Sequence, residues 1–316
     1  MSRDAERSTA GIEKWIGVVA AVLAPTTLIT GLAYYFGLVE ARKYYGYFGL
    51  DANALGLTNG DYVTRSVGVL YPPAIAMLVL VWVVISVGAL LRRAIGKGRR
   101  RRGIRWFGIA CLGVGAVLLV RGVLGVTAPA LEIITFTGLT PGALAVGAGL
   151  VLAGLWILAQ LKPVAAEAFS PTHRRVTLGV AATAIVLALF WLTNIYATWS
   201  GLHGGERTAA GLWRRETVVE LDTKERLYAP PQLVSETRLP DAEGQTFRYR
   251  YRCLRVLEVR PDRIVLVPAK WTPELGYLVI VRADDASVRM TVTRLSALAH
   301  ADYATYDKWT CPEIRS

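Results

Sequence analysis

Apolar residues are grouped unevenly along the chain, and two different periods follow one another. Before residue 198 the chain holds five long apolar runs, Trp15–Phe36, Val69–Leu91, Phe107–Val126, Gly142–Leu161 and Thr177–Ala197. Crossing roughly 30 Å of hydrocarbon at about 1.5 Å per residue needs about 20 apolar residues, and every run is long enough. Lipid offers the backbone no hydrogen-bond partner, so each run is expected to be a helix. Pro25 should kink the first, with Thr26, Thr27 and Thr30 beside it to satisfy the freed carbonyls. Pro72 and Pro73 fall near the start of the second, where a missing N–H costs little. The first run exceeds the apolar core of a signal peptide and reads as a retained span despite the small residues Gly31 and Ala33.

After Trp199 the pattern alternates with period two. Strands are expected at Thr217–Leu221, Gln232–Thr237, Thr246–Val259, Arg263–Val267, Gly276–Arg282 and Val288–Arg294. Within the third, Phe247, Tyr249, Tyr251 and Cys253 take one face and Arg248, Arg250 and Arg252 the other. The alternation stumbles at Leu254–Arg255–Val256, where a bulge would restore it. Five or six short strands in this space predict a small antiparallel barrel or sandwich, closed by a short helix over Leu295–Tyr303. The expected fold is therefore an α-helical membrane protein with five spans and a small C-terminal β-domain. A terminus at 1–14 precedes a helical domain at 15–197 with a loop at 37–68, and the β-domain covers 198–316.

That loop is patterned. Tyr44, Tyr45, Tyr47 and Phe48 form an aromatic cluster of the kind found at a membrane interface. Asp51 is placed to cap a turn at Ala52–Leu55, and Asn59 or Asp61 to cap a helix leading into the second span. The loop is expected to seal the outer end of the bundle, with a ligand-binding lid as the alternative.

Composition supports the division. Hydrophobic residues are 53% of the chain against 19% charged, and the net charge is +12. Residues 1–197 carry 18 Lys and Arg against 8 Asp and Glu, and residues 198–316 carry 18 against 16. The basicity belongs to the helical part. Eight cations, Arg92, Arg93, Lys97, Arg99, Arg100, Arg101, Arg102 and Arg105, lie between spans two and three, whereas residues 127–141 hold none. Lys162, Arg174 and Arg175 follow span four, and Arg3, Arg7 and Lys14 precede span one. Short loops rich in Lys and Arg stay in the cytoplasm. The N-terminus is thus expected inside and, after five spans, the β-domain outside the plasma membrane. The arginine-rich connection reads as a topological anchor on anionic inner-leaflet headgroups. Trp106 is its only aromatic, too little for a nucleic-acid reader.

Arg121 is the one formal charge within a span, close enough to the outer end to snorkel or to face Glu132 in the next loop. Ala145, Gly149 and Ala153, with Cys111 and Gly115, provide small residues at helical spacing for close packing. Cys253 and Cys311, both in the outward β-domain, are expected to form a disulfide closing a loop of about 58 residues. The row Arg248, Arg250, Arg252 reads as a solvated face balanced by Glu258, Glu236 or Glu220, or as an acidic-polymer strip. His173, His203 and His300 lie on separate segments, and no cofactor, metal or catalytic motif is recognisable.

The block YYGYFGLDANALGLTNGDYVTRSV, with FRYRYRCLRVLEV and IVLVPAKW near the C-terminus, resembles uncharacterised integral membrane proteins of high-GC actinobacteria. The resemblance implies this same architecture and attaches no activity. The function expected is a membrane-anchored module whose β-domain binds an envelope component or a membrane protein. A small transporter or channel component is the alternative, and a membrane enzyme is disfavoured.

Overall fold

A computed structural model describes residues 26–96, 101–127, 138–161, 171–212 and 217–294. Five α-helices are found among the described residues: α1 at 26–47, α2 at Asn59–Gly96, α3 at Arg101–Thr127, α4 at Leu139–Leu161 and α5 at Pro171–Gly211. The last four are long and apolar enough to cross a membrane. The N-terminal half of the first expected span, with Pro25, lies outside the described residues, as do Glu132, Cys311, Leu295–Tyr303 and part of the arginine-rich connection.

The chain divides into two units, and the division departs from the expected boundaries. Residues up to Glu40 group with Thr58–Trp199, while Ala41–Leu57 group with the chain from Ser200 onward. The middle of the expected loop at 37–68 thus groups with the β-strands, and its two ends group with the helices.

In the helical unit, α1 and α2 meet where Gly37 lies on the Tyr62 carbonyl, so close that a Cβ there would collide with it. Glu40 and Arg65 pair at 3.3 Å on the same side, and the rings of Tyr34 and Tyr62 meet edge to face. Phe36, Val69 and Ala197 bury one another between α1, α2 and α5, and the Tyr35 hydroxyl donates to Asn194. Thr58 caps α2: its hydroxyl accepts from the Asp61 N–H, and the Asp61 carboxylate accepts from the Thr58 N–H at 2.7 Å. This reciprocal box moves the helix start ten residues ahead of the apolar run. Pro72 and Pro73 are consequently interior to α2, where they deprive the Gly68 and Val69 carbonyls of their helical donors.

Helices α3 and α4 are antiparallel neighbours, and glycine sets their register. A Cβ at Gly115 would stand 2.9 Å from the Gly147 carbonyl, and one at Gly154 2.8 Å from the Gly108 carbonyl. Cys111 and Gly115 face α4 as the sequence suggests, but the α4 seam is Ala143, Gly147 and Gly154. Ala145, Gly149 and Ala153 point elsewhere; spacing of four reads a face only to within a turn, and a seam repeating every seven residues fits these helices better. Replacing Gly115 by leucine should force the pair apart, lowering the unfolding midpoint of the purified protein by an overpacking cost of about 1–3 kcal/mol. The same change at Gly113, which meets nothing within 4 Å, should be silent.

Among its described residues the β-unit has six strands: β1 Thr217–Thr223, β2 Ser235–Arg238, β3 Tyr249–Val259, β4 Arg263–Pro268, β5 Val279–Arg282 and β6 Val288–Arg294. They form one antiparallel sheet in the order β5-β4-β3-β1-β6, with β2 on the β3 edge that β4 continues. The ends of that path, β5 and β6, do not pair among the described residues. Two irregularities bend β3. One falls between its pairings to Val219 and Leu221, where Cys253 adopts φ +71; the other lies between Val256 and Glu258. They flank the stumble in the alternation instead of falling on it. One sheet face packs Val219, Leu221, Leu233, Val234, Tyr251, Leu254, Leu266 and Val281 into a core.

Candidate functional site

Two constructions on the β-unit gather its polar side chains. The first is the arginine row. Directly paired residues share a face of a sheet, and Asp222 on β1 pairs with Arg250 on β3 and Arg289 on β6. Arg250 grips the Asp222 carboxylate in two bonds, at 2.7 and 3.0 Å, and Arg289 adds two more, at 2.6 and 3.2 Å. Two residues back along β1, Glu220 takes Arg252 at 2.8 Å. Asp222 is buried while Arg289 is half-exposed and stacked on Phe247. Bonds from Arg250 hold the Asp222 carboxyl below the ordinary range; burial opposes them and Arg289 adds to them. The same bond holds the Arg250 guanidinium more firmly protonated. Three arginines and two carboxylates thus form a closed ionic ladder. Arg248 continues the row exposed, its backbone bonded to Thr223 and Leu239.

Of the expected counterions only Glu220 serves. Glu236 pairs with Arg226 and Glu258 accepts from Tyr45. Asp222 completes the ladder. The period-two pattern could have disclosed it, since Glu220 and Asp222 share parity on β1, but strand order decides which row they face.

The second construction is the docking of 41–57, hereafter the strap, onto the other sheet face. On β4, Val265, Leu266 and Val267 are all fully buried, and alternation sends them to opposite faces. Leu266 enters the core described above. Val265 pairs with Glu258 and Val267 with Arg255, so those four share the second face. There the Tyr45 hydroxyl donates to Glu258 at 2.8 Å, Arg260 donates to the Gly56 carbonyl at 3.2 Å and Arg263 to the Ala54 carbonyl at 2.6 Å. The Phe48 ring meets the Trp271 indole at 4.8 Å and Tyr47 meets it at 5.4 Å. Asp51 caps the single 3-10 turn Ala52–Leu55 by accepting from the Asn53 N–H, as its position predicts. Gly49 and Gly56 turn the strap at φ +80 and +65, angles that glycine adopts without a Cβ penalty. On the helix side, the Tyr44 hydroxyl donates to Thr208, and Gly205 admits the Tyr47 side chain, which a Cβ would meet at 2.8 Å.

Within the aromatic cluster, Tyr45 and Phe48 are buried inside this unit and Tyr44 and Tyr47 are half-buried.

The other expected site residues are scattered. Arg121 lies half-exposed on α3 one turn from Gly125, and its expected partner Glu132 is outside the described residues. Arg92 stands over the Trp156 ring at 5.4 Å. Cys111 is the free cysteine among the described residues, and Cys253 is buried in β3. No family model matches the chain, and it matches no curated protein and no solved structure.

Proposed function

We propose that this chain is a multi-pass protein of the cell membrane that holds the strap and β-domain outside the cytoplasm as a binding or scaffold module of the envelope, without a catalytic role. One observation carries the topology. The strap and the β-strands belong to one unit, and four helices long enough to cross a membrane lie between them in sequence. An even number of crossings returns the chain to the side it left. The arginine-rich connection follows the first of the four and lies on the opposite side, where the preference of Lys and Arg for the cytoplasm and for anionic headgroups places it inside. The strap and β-unit are then outside. Arg92 over Trp156 suits the headgroup level.

The binding role rests on the build of the β-unit. Its charged ladder is satisfied internally, its apolar core is its own, and its loops present side chains on a rigid sheet. In that compartment Cys253 pairs with Cys311, tying the C-terminal segment to the middle of β3.

Fusion of two reporters after Ser316 tests the topology. Alkaline phosphatase should be active there and a cytosol-dependent fluorescent protein dark, and thiol titration of the denatured, unreduced protein should count one free cysteine. A fluorescent fusion with three free thiols would reject both parts.

A further inference from the structure

We infer that the β1–β2 connection, residues 224–234, is a carbohydrate-binding loop whose platform is the Tyr228 ring, taking a neutral pyranose of an envelope glycan. Tyr228 holds φ +51 and is 78% exposed. A non-glycine residue at this angle is strained, and an exposed ring forgoes its burial, so the chain gains nothing from either by itself. Around it the backbone is fixed. The hydroxyl of the buried Tyr251 accepts from the Leu227 N–H at 2.8 Å, Thr223 donates to the Glu225 carbonyl, and the Leu233 and Val234 N–H groups both bond the Pro230 carbonyl. The Arg226 guanidinium lies 5.1 Å from the Tyr228 ring centre and is itself held by Glu236 at 2.7 Å. The loop backbone is thus held, Arg226 backs the ring, and most of the ring's surface is open to solvent. Such fixing removes the ordering cost that weak binders otherwise meet.

The chemistry of the surroundings selects the ligand. An aromatic face carries the negative lobe of its quadrupole and attracts the polarised axial C–H groups of a sugar ring. Arg226 and Glu236 beside it supply donors and acceptors for hydroxyls. Lys224 and Glu225 balance, and the remaining loop cation, Arg226, is neutralised by Glu236 on β2, so little net charge is left to draw a polyanion or an anionic lipid. A folded protein partner fits less well. Leu227 and Tyr228 are the loop's exposed large apolar residues, whereas a stable protein interface covers about 800 Å² on each side around an apolar centre. One ring matches one sugar.

This deepens the binding role proposed above but not the topology, and purified protein tests it whichever side the β-unit occupies. The full chain in lipid nanodiscs, free of glycosidic detergent, would be titrated with neutral gluco-, manno-, galacto- and N-acetylglucosamine tetrasaccharides by saturation-transfer NMR and calorimetry. At least one should bind, about tenfold or more weaker after Tyr228→Ala and undiminished after Tyr228→Trp. Tyr228→Gly, which relieves the backbone, should lose binding without lowering the unfolding midpoint. No binding at about 10 mM, binding indifferent to Tyr228→Ala, or a lower midpoint for Tyr228→Gly would overturn the assignment. A photoreactive residue at 228 that crosslinks to a protein in cells would overturn it in favour of that partner class.

Discussion

Truncating Phe48 to alanine is expected to loosen the β-unit by about 3–5 kcal/mol, the range for removing a buried aromatic ring. The ring is 2% exposed and sits against Trp271, itself 5% exposed, so its loss leaves a void lined by an indole. Surrounding groups have little freedom to fill it. Tyr45 is held by Glu258, and the turn beyond is fixed by the Asp51 cap and by Arg260 and Arg263 on backbone carbonyls. Limited proteolysis and thermal unfolding of the purified protein should report the same change, with new cleavage inside 49–57. Tyr45→Phe removes only the bond to Glu258 and should cost about 1–2 kcal/mol. A Phe48→Ala protein with an unchanged midpoint and an uncut strap would mean that the strap does not depend on this contact.

The second large effect is expected at Asp222. Taking away the buried carboxylate leaves Arg250 and Arg289 facing one another with Glu220 alone beside them. Breaking a buried ion pair from one side costs about 3–5 kcal/mol. Arg289 is half-exposed and Arg250 about a quarter, so water recovers part of this, and about 2–3 kcal/mol is expected for Asp222→Ala. The acid dependence follows from the direction of the shift. A carboxyl held below its unfolded value of about 3.9 contributes in full well above that value, and the contribution fades as pH falls toward and through the folded value. Wild-type stability should therefore be level through neutral pH and drop at low pH. Asp222→Asn should be less stable at pH 7 and show a shallower acid arm, measured by chemical denaturation across pH. Parallel curves for the two proteins would remove Asp222 from the acid response.

The elements were legible where local chemistry decides them. Each of the last four apolar runs lies inside a helix, because a run of about 20 apolar residues has few alternatives. The Asp51 turn could be read from four residues. Strand ends were harder, since they depend on turns. Leu233 and Val234 bond back to Pro230 and delay β2 to Ser235, and a 3-10 turn at Pro273–Leu275, capped by Thr272, delays β5 to Val279. The strap's place was hidden. Tyr45 and Glu258 are 213 residues apart, and no local period marks a segment that docks on a sheet formed so much later. Tyr228 was hidden for the opposite reason, since an exposed ring at positive φ leaves no trace in a hydrophobic pattern. Within the ladder the arginines announced themselves by alternation, but the partner Asp222 required the order of β1, β3 and β6.

Single cysteines at Asn53 in the strap, Asp285 in the β5–β6 turn and Arg100 in the basic connection, each with Cys111 replaced by alanine, would be exposed to a membrane-impermeant maleimide on intact cells. Positions 53 and 285 should react in intact cells, and position 100 only after permeabilisation. Reaction of 53 and 285 from opposite sides, or of 100 with either of them, would contradict the proposed topology.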